Sequence, residues 1–137
     1  MIVDAGPLIA LFNPADRDHA RCIGFLKQCE AALTTTWPVL TEAMHVLRYS
    51  PEAQLRLLNW VERGGLSVAD LDPASIAGSI RLMDRHPDRP MDLADASVVL
   101  LALQTGCRDV MSIDSDFDLY RLPDGGWLNN VLRDNTH

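Results

Sequence analysis

The chain has 137 residues, of which 47% are hydrophobic, and its mean hydropathy is −0.00. This length fits one domain spanning residues 1–137, and the apolar content excludes a disordered chain. No apolar run approaches the ~18 residues of a membrane helix and no signal peptide is evident, so we expect no membrane partner and a cytoplasmic location. The net charge of −7 argues against simple DNA or RNA binding, because a nucleic-acid-binding surface is usually basic. It does not exclude a metal-dependent nuclease, because bound cations invert the local field.

In the first half of the chain, short apolar or β-branched runs alternate with amphipathic segments. Residues 1–3 predict a buried strand, Gly6-Pro7 a turn, and residues 8–12 a short helix that ends before Pro14. The next predicted elements are a helix, a strand, two helices and a strand, at residues 16–30, 31–36, 38–49, 51–63 and 66–69. The last of these helices follows a serine cap and begins with proline.

In the second half, Asp72-Pro73 predicts the start of a helix that runs to about His86, and a loop follows over residues 87–90. A strongly apolar helix is predicted over residues 91–106, ending at its glycine. The remaining predictions are a strand, a short helical turn and an edge strand, at residues 109–113, 116–120 and 127–132. Because strands alternate with helices, we expect a three-layer α/β/α fold with a mostly parallel sheet of four to five strands.

Four carboxylates that are far apart in the chain lie at the edges of these predicted elements. Asp4 and Asp114 follow apolar strands, Glu42 lies one turn into a helix, and Asp95 lies near the start of the apolar helix. Taken alone, each fits the role of a cap, a turn residue or an exposed helix residue. However, active sites of open α/β sheets lie beyond the carboxyl ends of the strands, and a buried carboxylate is costly unless it is paired or bound to a metal.

Taken together, the four carboxylates predict a single divalent-metal site. Hard oxygen ligands suit Mg²⁺ or Mn²⁺ rather than zinc, and these ions activate water for phosphodiester hydrolysis. Asp92 lies three residues before Asp95, on the same helix face, and a role as helix cap explains it equally well.

Residues 1–124 resemble a PIN domain, and closely resemble the VapC-type ribonuclease toxins of prokaryotic toxin–antitoxin pairs. The resemblance is carried by four motifs in chain order: Ile2-Val3-Asp4 with Gly6-Pro7-Leu8, Thr41-Glu42, Asp92-Leu93-Ala94-Asp95-Ala96, and Ser112-Ile113-Asp114-Ser115-Asp116-Phe117. Each motif is weak alone, whereas all four in this order are fairly specific. The family often has threonine where Ser112 stands, so a hydroxyl is kept.

The resemblance implies a PIN-like fold, Mg²⁺ or Mn²⁺ as cofactor, and cleavage of single-stranded RNA that leaves 3′-hydroxyl and 5′-phosphate ends. It also implies inhibition by a small antitoxin that binds the operon's DNA and, by analogy, a homodimer. The carboxylates to which it assigns roles are Asp4, Glu42 and Asp95 at the shared acidic positions, Asp114 at a more variable one, and Asp116 and Asp92 as further candidates.

Two interpretations from other classes stay open. A receiver-like regulatory domain would also bind Mg²⁺ through acidic residues, but it requires a late lysine, and the chain has only Lys27. A catalytically inert interaction module would bind a partner and show no metal-dependent cleavage. His19, Cys22 and Cys29 can be pictured as metal ligands, although buried thiols on a helix are the simpler interpretation.

Overall fold

The computed structural model describes residues 1–85 and 90–133. Within them, five short parallel strands form one sheet: β1 (Ile2–Val3), β2 (Thr34–Thr36), β3 (Ser67–Ala69), β4 (Asp109–Met111) and β5 (Asn129–Asn130). The helices that flank the sheet are α1 (Ala5–Phe12), α2 (His19–Gln28), α3 (Trp37–Val46), α4 (Pro51–Glu62), α5 (Ser75–Asp84) and α6 (Leu93–Thr105). Two 3₁₀ segments, Leu47–Tyr49 and Ser115–Asp118, follow α3 and β4. The predicted α/β/α architecture is confirmed.

The sheet has the strand order β3-β2-β1-β4-β5. β1 therefore lies in the centre, with Ile2 paired to Val110 and Val3 to Met111 of β4. All four of these side chains are fully buried, as expected for central parallel strands that are covered on both faces. No helix in the described part of the chain is long and apolar enough to cross a membrane.

The start of α1 differs from the prediction. The helix begins at Ala5, directly after Asp4, whose extended backbone places it at the N-cap. The predicted turn at Gly6-Pro7 is wrong, because both residues belong to the first helical turn, where the proline's missing N–H has no intrahelical partner in any case. Gly6 also allows a close approach, since a Cβ there would lie 3.3 Å from the Cβ of Ile113.

In contrast to α1, helices α2 and α5 start later than predicted, because aspartates form local turns before them. Asp16 accepts hydrogen bonds from the backbone N–H groups of Asp18 and His19, so α2 begins at His19 rather than at residue 16. Asp72 accepts from the N–H of Ala74, and α5 begins two residues after Pro73. The predicted end of this helix at His86, and residues 87–89 of the predicted loop, lie outside the described residues.

The strands are shorter than predicted. The helix ends that were predicted from a capping serine or a glycine agree with the structure. β2 begins at Thr34 instead of residue 31, and only Asn129–Asn130 of the predicted edge strand pair with β4. Ser50 accepts from the N–H of Ala53 and caps α4, as predicted. Gly106 ends α6 in the left-handed conformation, with φ of 77°, which glycine adopts at no steric cost.

Candidate metal-binding active site

The strand order places a crevice at the carboxyl ends of β1 and β4. From β1 the chain builds the sheet on one side through β2 and β3, and then crosses over to add β4 and β5 on the other side. Ligands of open α/β sheets bind where the strand order reverses in this way. Asp4 follows β1 at this point, and Ser112 and Asp114 follow β4.

A cleft of about 510 Å³ opens at this edge of the sheet. The acidic residues that line it are Asp4, Glu42, Asp92, Asp95, Asp114 and Asp116. The other lining residues are small, apolar or proline, and in the described part of the chain they include no lysine, arginine or histidine. The structure thus brings all six carboxylates named by the sequence to one cleft, while their catalytic and metal-binding roles stay a prediction.

Asp4 is the most deeply placed of these acids, with only 7% of the residue exposed. Burial raises the pKa of its carboxyl to about 6, and the negative charges of Glu42 and Asp114 act in the same direction. Hydrogen bonds from the N–H of Ala5 and the hydroxyl of Ser112 oppose the rise, because they stabilise the charged form. Two hydrogen bonds therefore fix the Asp4 carboxyl, but its ionisation costs desolvation free energy.

Ser112 fixes the orientation of the Asp4 carboxylate. Its buried Oγ lies 3.0 Å from Oδ2 of Asp4 and 3.3 Å from the backbone oxygen of Asp114. A hydroxyl has one proton to donate, and the charged, nearer carboxylate is the stronger acceptor. Ser112 is fixed in turn by Asn130 of β5, whose Oδ1 accepts from the backbone N–H groups of Ser112 (3.3 Å) and Leu132 (3.2 Å).

Asp92 and Asp95 open α6 on the other side of the cleft. Oδ1 of Asp92 accepts the N–H of Asp95 at 2.8 Å, so Asp92 is the N-cap of the helix, in agreement with one of its two predicted roles. Asp95 is half-buried, and burial together with the charges of Asp92 and Asp4 raises its pKa to about 7. The hydroxyl of Tyr120, 3.3 Å from Oδ2 of Asp95, acts in the opposite direction.

Glu42 reaches the cleft from α3 and is exposed. Partial burial and the charges of Asp92 and Asp114 raise its pKa. Asp114 caps the 3₁₀ segment by accepting the N–H of Asp116 at 3.0 Å, which leaves its second oxygen outside the capping bond. The capping roles that the sequence suggested for Asp92 and Asp114 are thus real, and they coexist with positions on the cleft wall.

A buried pair of hydroxyls joins the two helices that carry Glu42 and Asp95. Thr36 Oγ1 caps α3 by accepting the N–H of Val39, and lies 2.6 Å from Oγ of Ser97 on α6. Ser97 donates its proton to the backbone oxygen of Ala94. Ser97 must therefore accept a hydrogen bond from Thr36. Both hydroxyl groups of this pair then have hydrogen-bonding partners.

The six acids form an open site. Within residues 1–85 and 90–133, no three carboxylate, imidazole or thiol groups are spaced to hold an ion by themselves. The fit to a metal ion therefore rests on the chemistry of the donors, since Mg²⁺ takes oxygen ligands, usually keeps several waters and binds few protein carboxylates. The raised pKa values of Asp4, Glu42 and Asp95 all include repulsion from neighbouring carboxylates. An added cation would relieve this repulsion, so the donor set suits a hard divalent ion.

The other suggested ligand set does not form a site. The Nδ1 atom of His19 lies 2.7 Å from the backbone oxygen of Ala10, and Cys22 is fully buried. The simpler interpretation of these residues as structural groups therefore holds for Cys22, while Cys29 is partly exposed.

Sequence reasoning missed the side chains that orient the acids: Thr36, Ser97, Tyr120 and Asn130. A signal existed for Thr36, because a threonine two residues before Pro38 is a common arrangement at a helix start. No local signal marks Tyr120 or Asn130, since their partners lie 25 and 18 residues away in the chain.

Comparisons with known proteins agree with this fold. Residues 1–122 match the PIN domain family. The chain is 27% identical over 134 residues to Ribonuclease VapC26 of Mycobacterium tuberculosis, covering 96% of this chain and 99% of that protein. This similarity agrees with the resemblance to VapC-type proteins.

Two solved structures share the fold. One is VapC20 of Mycobacterium tuberculosis, described as a sarcin-ricin loop cleaving toxin, with a TM-score of 0.79 at 18% identity over 86% of this chain and 92% of that chain. The other is VapBC2 of Rickettsia felis, bound to a DNA fragment from its promoter, with a TM-score of 0.63 at 12% identity over 94% of this chain and 96% of that chain. Because the family match covers all but the last residues, this chain belongs to the PIN domain family.

Proposed function

We propose that this protein is an Mg²⁺- or Mn²⁺-dependent endoribonuclease that hydrolyses RNA phosphodiester bonds with a metal-activated water. The observation that carries the proposal is the cleft at the carboxyl ends of β1 and β4, where six carboxylates meet without a basic residue among the described lining. Family membership and the similarity to a VapC ribonuclease support it over the receiver-like and the inert alternatives. The activity is proposed for one domain, acting in the cytoplasm.

Asp4 and Asp95 are the residues proposed to bind the ion directly, because both carboxyls are partly or fully buried and crowded by other acids. Glu42 and Asp114 would complete the site directly or through water, with Asp92 and Asp116 as further oxygen donors at the rim. When bound, a divalent ion lowers the pKa of a water molecule and stabilises the leaving oxygen.

The chain's own contribution is to hold these oxygens in place. Ser112 and Asn130 fix Asp4 from the side of β4 and β5. The pair formed by Thr36 and Ser97 fixes α3 against α6, and so sets the position of Glu42 relative to Asp95. A site prepared in this way loses little free energy to reorganisation when substrate binds.

The test is cleavage of single-stranded RNA with Mn²⁺ by the wild type and by Asp4→Asn and Asp95→Asn. Loss of a supporting residue at a metal site lowers activity or affinity about 10- to 100-fold, so loss of a direct ligand should exceed about 100-fold. Asp84→Asn is the matched control, because it removes the same charge from an exposed position on α5. If all forms cleave alike, or if none shows metal-dependent cleavage, the ribonuclease proposal fails, and the second result favours an inert module.

We further propose that a small antitoxin protein inhibits this enzyme, on the basis of its similarity to VapC26 and its structural likeness to VapBC2. The net charge of −7 suits a basic partner. Expression of the chain alone should arrest growth, and co-expression of the short reading frame next to its gene should relieve the arrest. Growth arrest that persists with the intact neighbouring protein would argue against this pairing.

We also propose a homodimer that forms through α5. Ile76, Ile80 and Met83 form an exposed apolar stripe on this helix at helical spacing, with 62%, 64% and 41% of each residue exposed. Exposed apolar side chains grouped on one helix face are typical of an interface. Light scattering after size-exclusion chromatography should show a dimer that Ile80→Glu converts to a monomer. The control Leu55→Glu alters an equally exposed leucine on α4 and should remain dimeric; a monomeric wild type would refute the dimer.

A further inference from the structure

Tyr120 is the largest fully buried side chain in the described structure, and its hydroxyl reaches the carboxylate of Asp95, which lines the acidic cleft. The residue follows the 3₁₀ segment Ser115–Asp118, and its ring packs edge-on against Phe117 with centroids 5.8 Å apart. The hydroxyl oxygen lies 3.1 Å from the backbone oxygen of Pro90 and 3.3 Å from Oδ2 of Asp95. A tyrosine is buried completely only where its hydroxyl finds hydrogen-bonding partners.

These contacts join two arms of the cleft that are separate in the chain. One arm is the segment from Pro90 into α6, which carries Asp92 and Asp95. The other arm runs from Asp114 to Tyr120 and also carries Asp116. The Tyr120 hydroxyl contacts the first arm at the backbone oxygen of Pro90 and at the carboxylate of Asp95. The Tyr120 ring packs against Phe117 of the second arm.

We propose that Tyr120 is a positioning residue, whose hydroxyl holds Oδ2 of Asp95 so that the carboxylate is presented to a divalent cation in a fixed orientation. This inference rests on the proposed metal-dependent function and names a residue of that site that contacts neither substrate nor ion. Asp95 depends on such a contact because the terminal torsion of an aspartate is broad and does not fix the carboxylate plane by itself. The backbone bonds of the first helical turn fix only its Cα.

The geometry also indicates which oxygen is used. Tyr120 has one proton to donate, and both Asp95 and the carbonyl of Pro90 lie within hydrogen-bonding distance of its hydroxyl. The charged carboxylate is the stronger acceptor, although the distance to Pro90 is shorter by 0.2 Å. When Oδ2 accepts from the phenol, Oδ1 remains outside this contact and is the oxygen available for the cation. Hydrogen bonds of this kind to ligating carboxylates typically account for about 10- to 100-fold in metal affinity.

The test replaces Tyr120 by phenylalanine, which removes the hydroxyl and keeps the buried ring. Mn²⁺ binding to the RNA-free protein is measured by calorimetry and by the paramagnetic resonance signal of free Mn²⁺. We expect Tyr120→Phe to bind Mn²⁺ about 10- to 100-fold more weakly than the wild type. Tyr49→Phe is the matched control, because Tyr49 is the only other tyrosine and is 62% exposed in the 3₁₀ segment after α3. It should bind Mn²⁺ as the wild type does.

Activity measurements separate positioning from a general loss of structure. In Tyr120→Phe the Mn²⁺ concentration needed for half-maximal cleavage should rise, saturating Mn²⁺ should restore most of kcat, and KM for RNA should change little. A distorted cleft would instead keep kcat low at every Mn²⁺ concentration, and that result would overturn the positioning role.

The outcomes also separate this inference from the proposed function. Equal Mn²⁺ affinity in Tyr120→Phe and the wild type overturns the inference and leaves the ribonuclease intact. Weaker Mn²⁺ binding by Tyr120→Phe in a protein that cleaves no RNA supports the inference and overturns the ribonuclease. A wild type that binds no Mn²⁺ overturns both.

Discussion

At the scale of single residues, the buried carboxylate of Asp4 lowers the stability of the folded protein. Its pKa of about 6 means that the folded protein holds the ionised carboxylate at a free-energy cost on the order of 1–3 kcal/mol relative to the unfolded chain. Hydrogen bonds from Ser112 and the N–H of Ala5 already offset part of the desolvation, and this cost is what remains. A structural role alone would not call for an aspartate here, because an asparagine oxygen can accept the same hydrogen bond.

We therefore predict that Asp4→Asn is more stable than the wild type when no divalent metal is present. The amide removes the buried charge and keeps an acceptor for Ser112, so Tm at about pH 8 in chelator should rise by roughly 5 °C, while cleavage falls by more than about 100-fold. Thermal melts of both proteins, with Asp84→Asn as control, measure the shift. A lower Tm for Asp4→Asn would show that the carboxylate stabilises the fold.

The sequence identified the acids of the cleft and the hydroxyl of Ser112, but not the other residues that orient the acids. Asp4 and Asp114 follow recognisable apolar strands, so their common edge follows from the rule for parallel sheets. Tyr120 and Asn130 contact partners that are distant in the chain. From the sequence alone, a tyrosine among apolar residues is interpreted as a core residue, because the partner of its hydroxyl is not known. Their roles depend on tertiary distances, which a single sequence does not contain.

At the scale of elements, the Thr36–Ser97 hydroxyl pair is the joint between α3 and α6. We predict that Thr36→Val destabilises the protein by about 1–3 kcal/mol, because it removes the cap of α3 and leaves the Ser97 hydroxyl without its donor. Denaturant unfolding measures the change. Thr41→Val is the control, since that exposed hydroxyl bonds only within its own helix, to the Trp37 carbonyl. Equal effects of the two substitutions would argue against the joint.

The same scale shows why two helix ends were easier to predict than the lengths of the strands. The ends of α4 and α6 follow from a serine cap and a glycine, which act within a few residues. The predicted start of α1 was wrong because Gly6-Pro7 also fits a turn, whereas in the structure both residues lie in the first helical turn after Asp4. Strand lengths depend on where neighbouring strands pair, so β2 and β5 were predicted too long.

At the scale of the whole molecule, the pKa shifts predict how stability depends on pH. Asp4 and Asp95 have folded-state pKa values of about 6 and about 7, above the ordinary 3.8. The folded state therefore binds protons more tightly than the unfolded state, and the stability from these groups, complete below about pH 4, is lost as pH rises through about 7.

In chelator, Tm should fall between about pH 4 and about pH 7, and millimolar Mg²⁺ or Mn²⁺ should raise it most at the upper end. The double variant Asp4→Asn, Asp95→Asn should show a flatter pH profile and a smaller response to the metal. A wild-type Tm that rises with pH, or that neither Mg²⁺ nor Mn²⁺ changes, would contradict the crowding of negative charge in the cleft.

The RNA substrate that we propose would approach this cleft against a repulsive field. Both the polymer and the protein, with its net charge of −7, are anionic, and no cationic side chain in the described part of the chain lines the cleft. Ordinary RNA-binding proteins release counterions from a basic surface, so they bind more weakly as ionic strength increases. Here dissolved KCl shortens the Debye length and screens repulsion instead. At fixed Mn²⁺, raising KCl from about 20 to about 150 mM should leave kcat/KM unchanged or increase it, and a steep decrease would reveal a hidden basic path to the scissile bond.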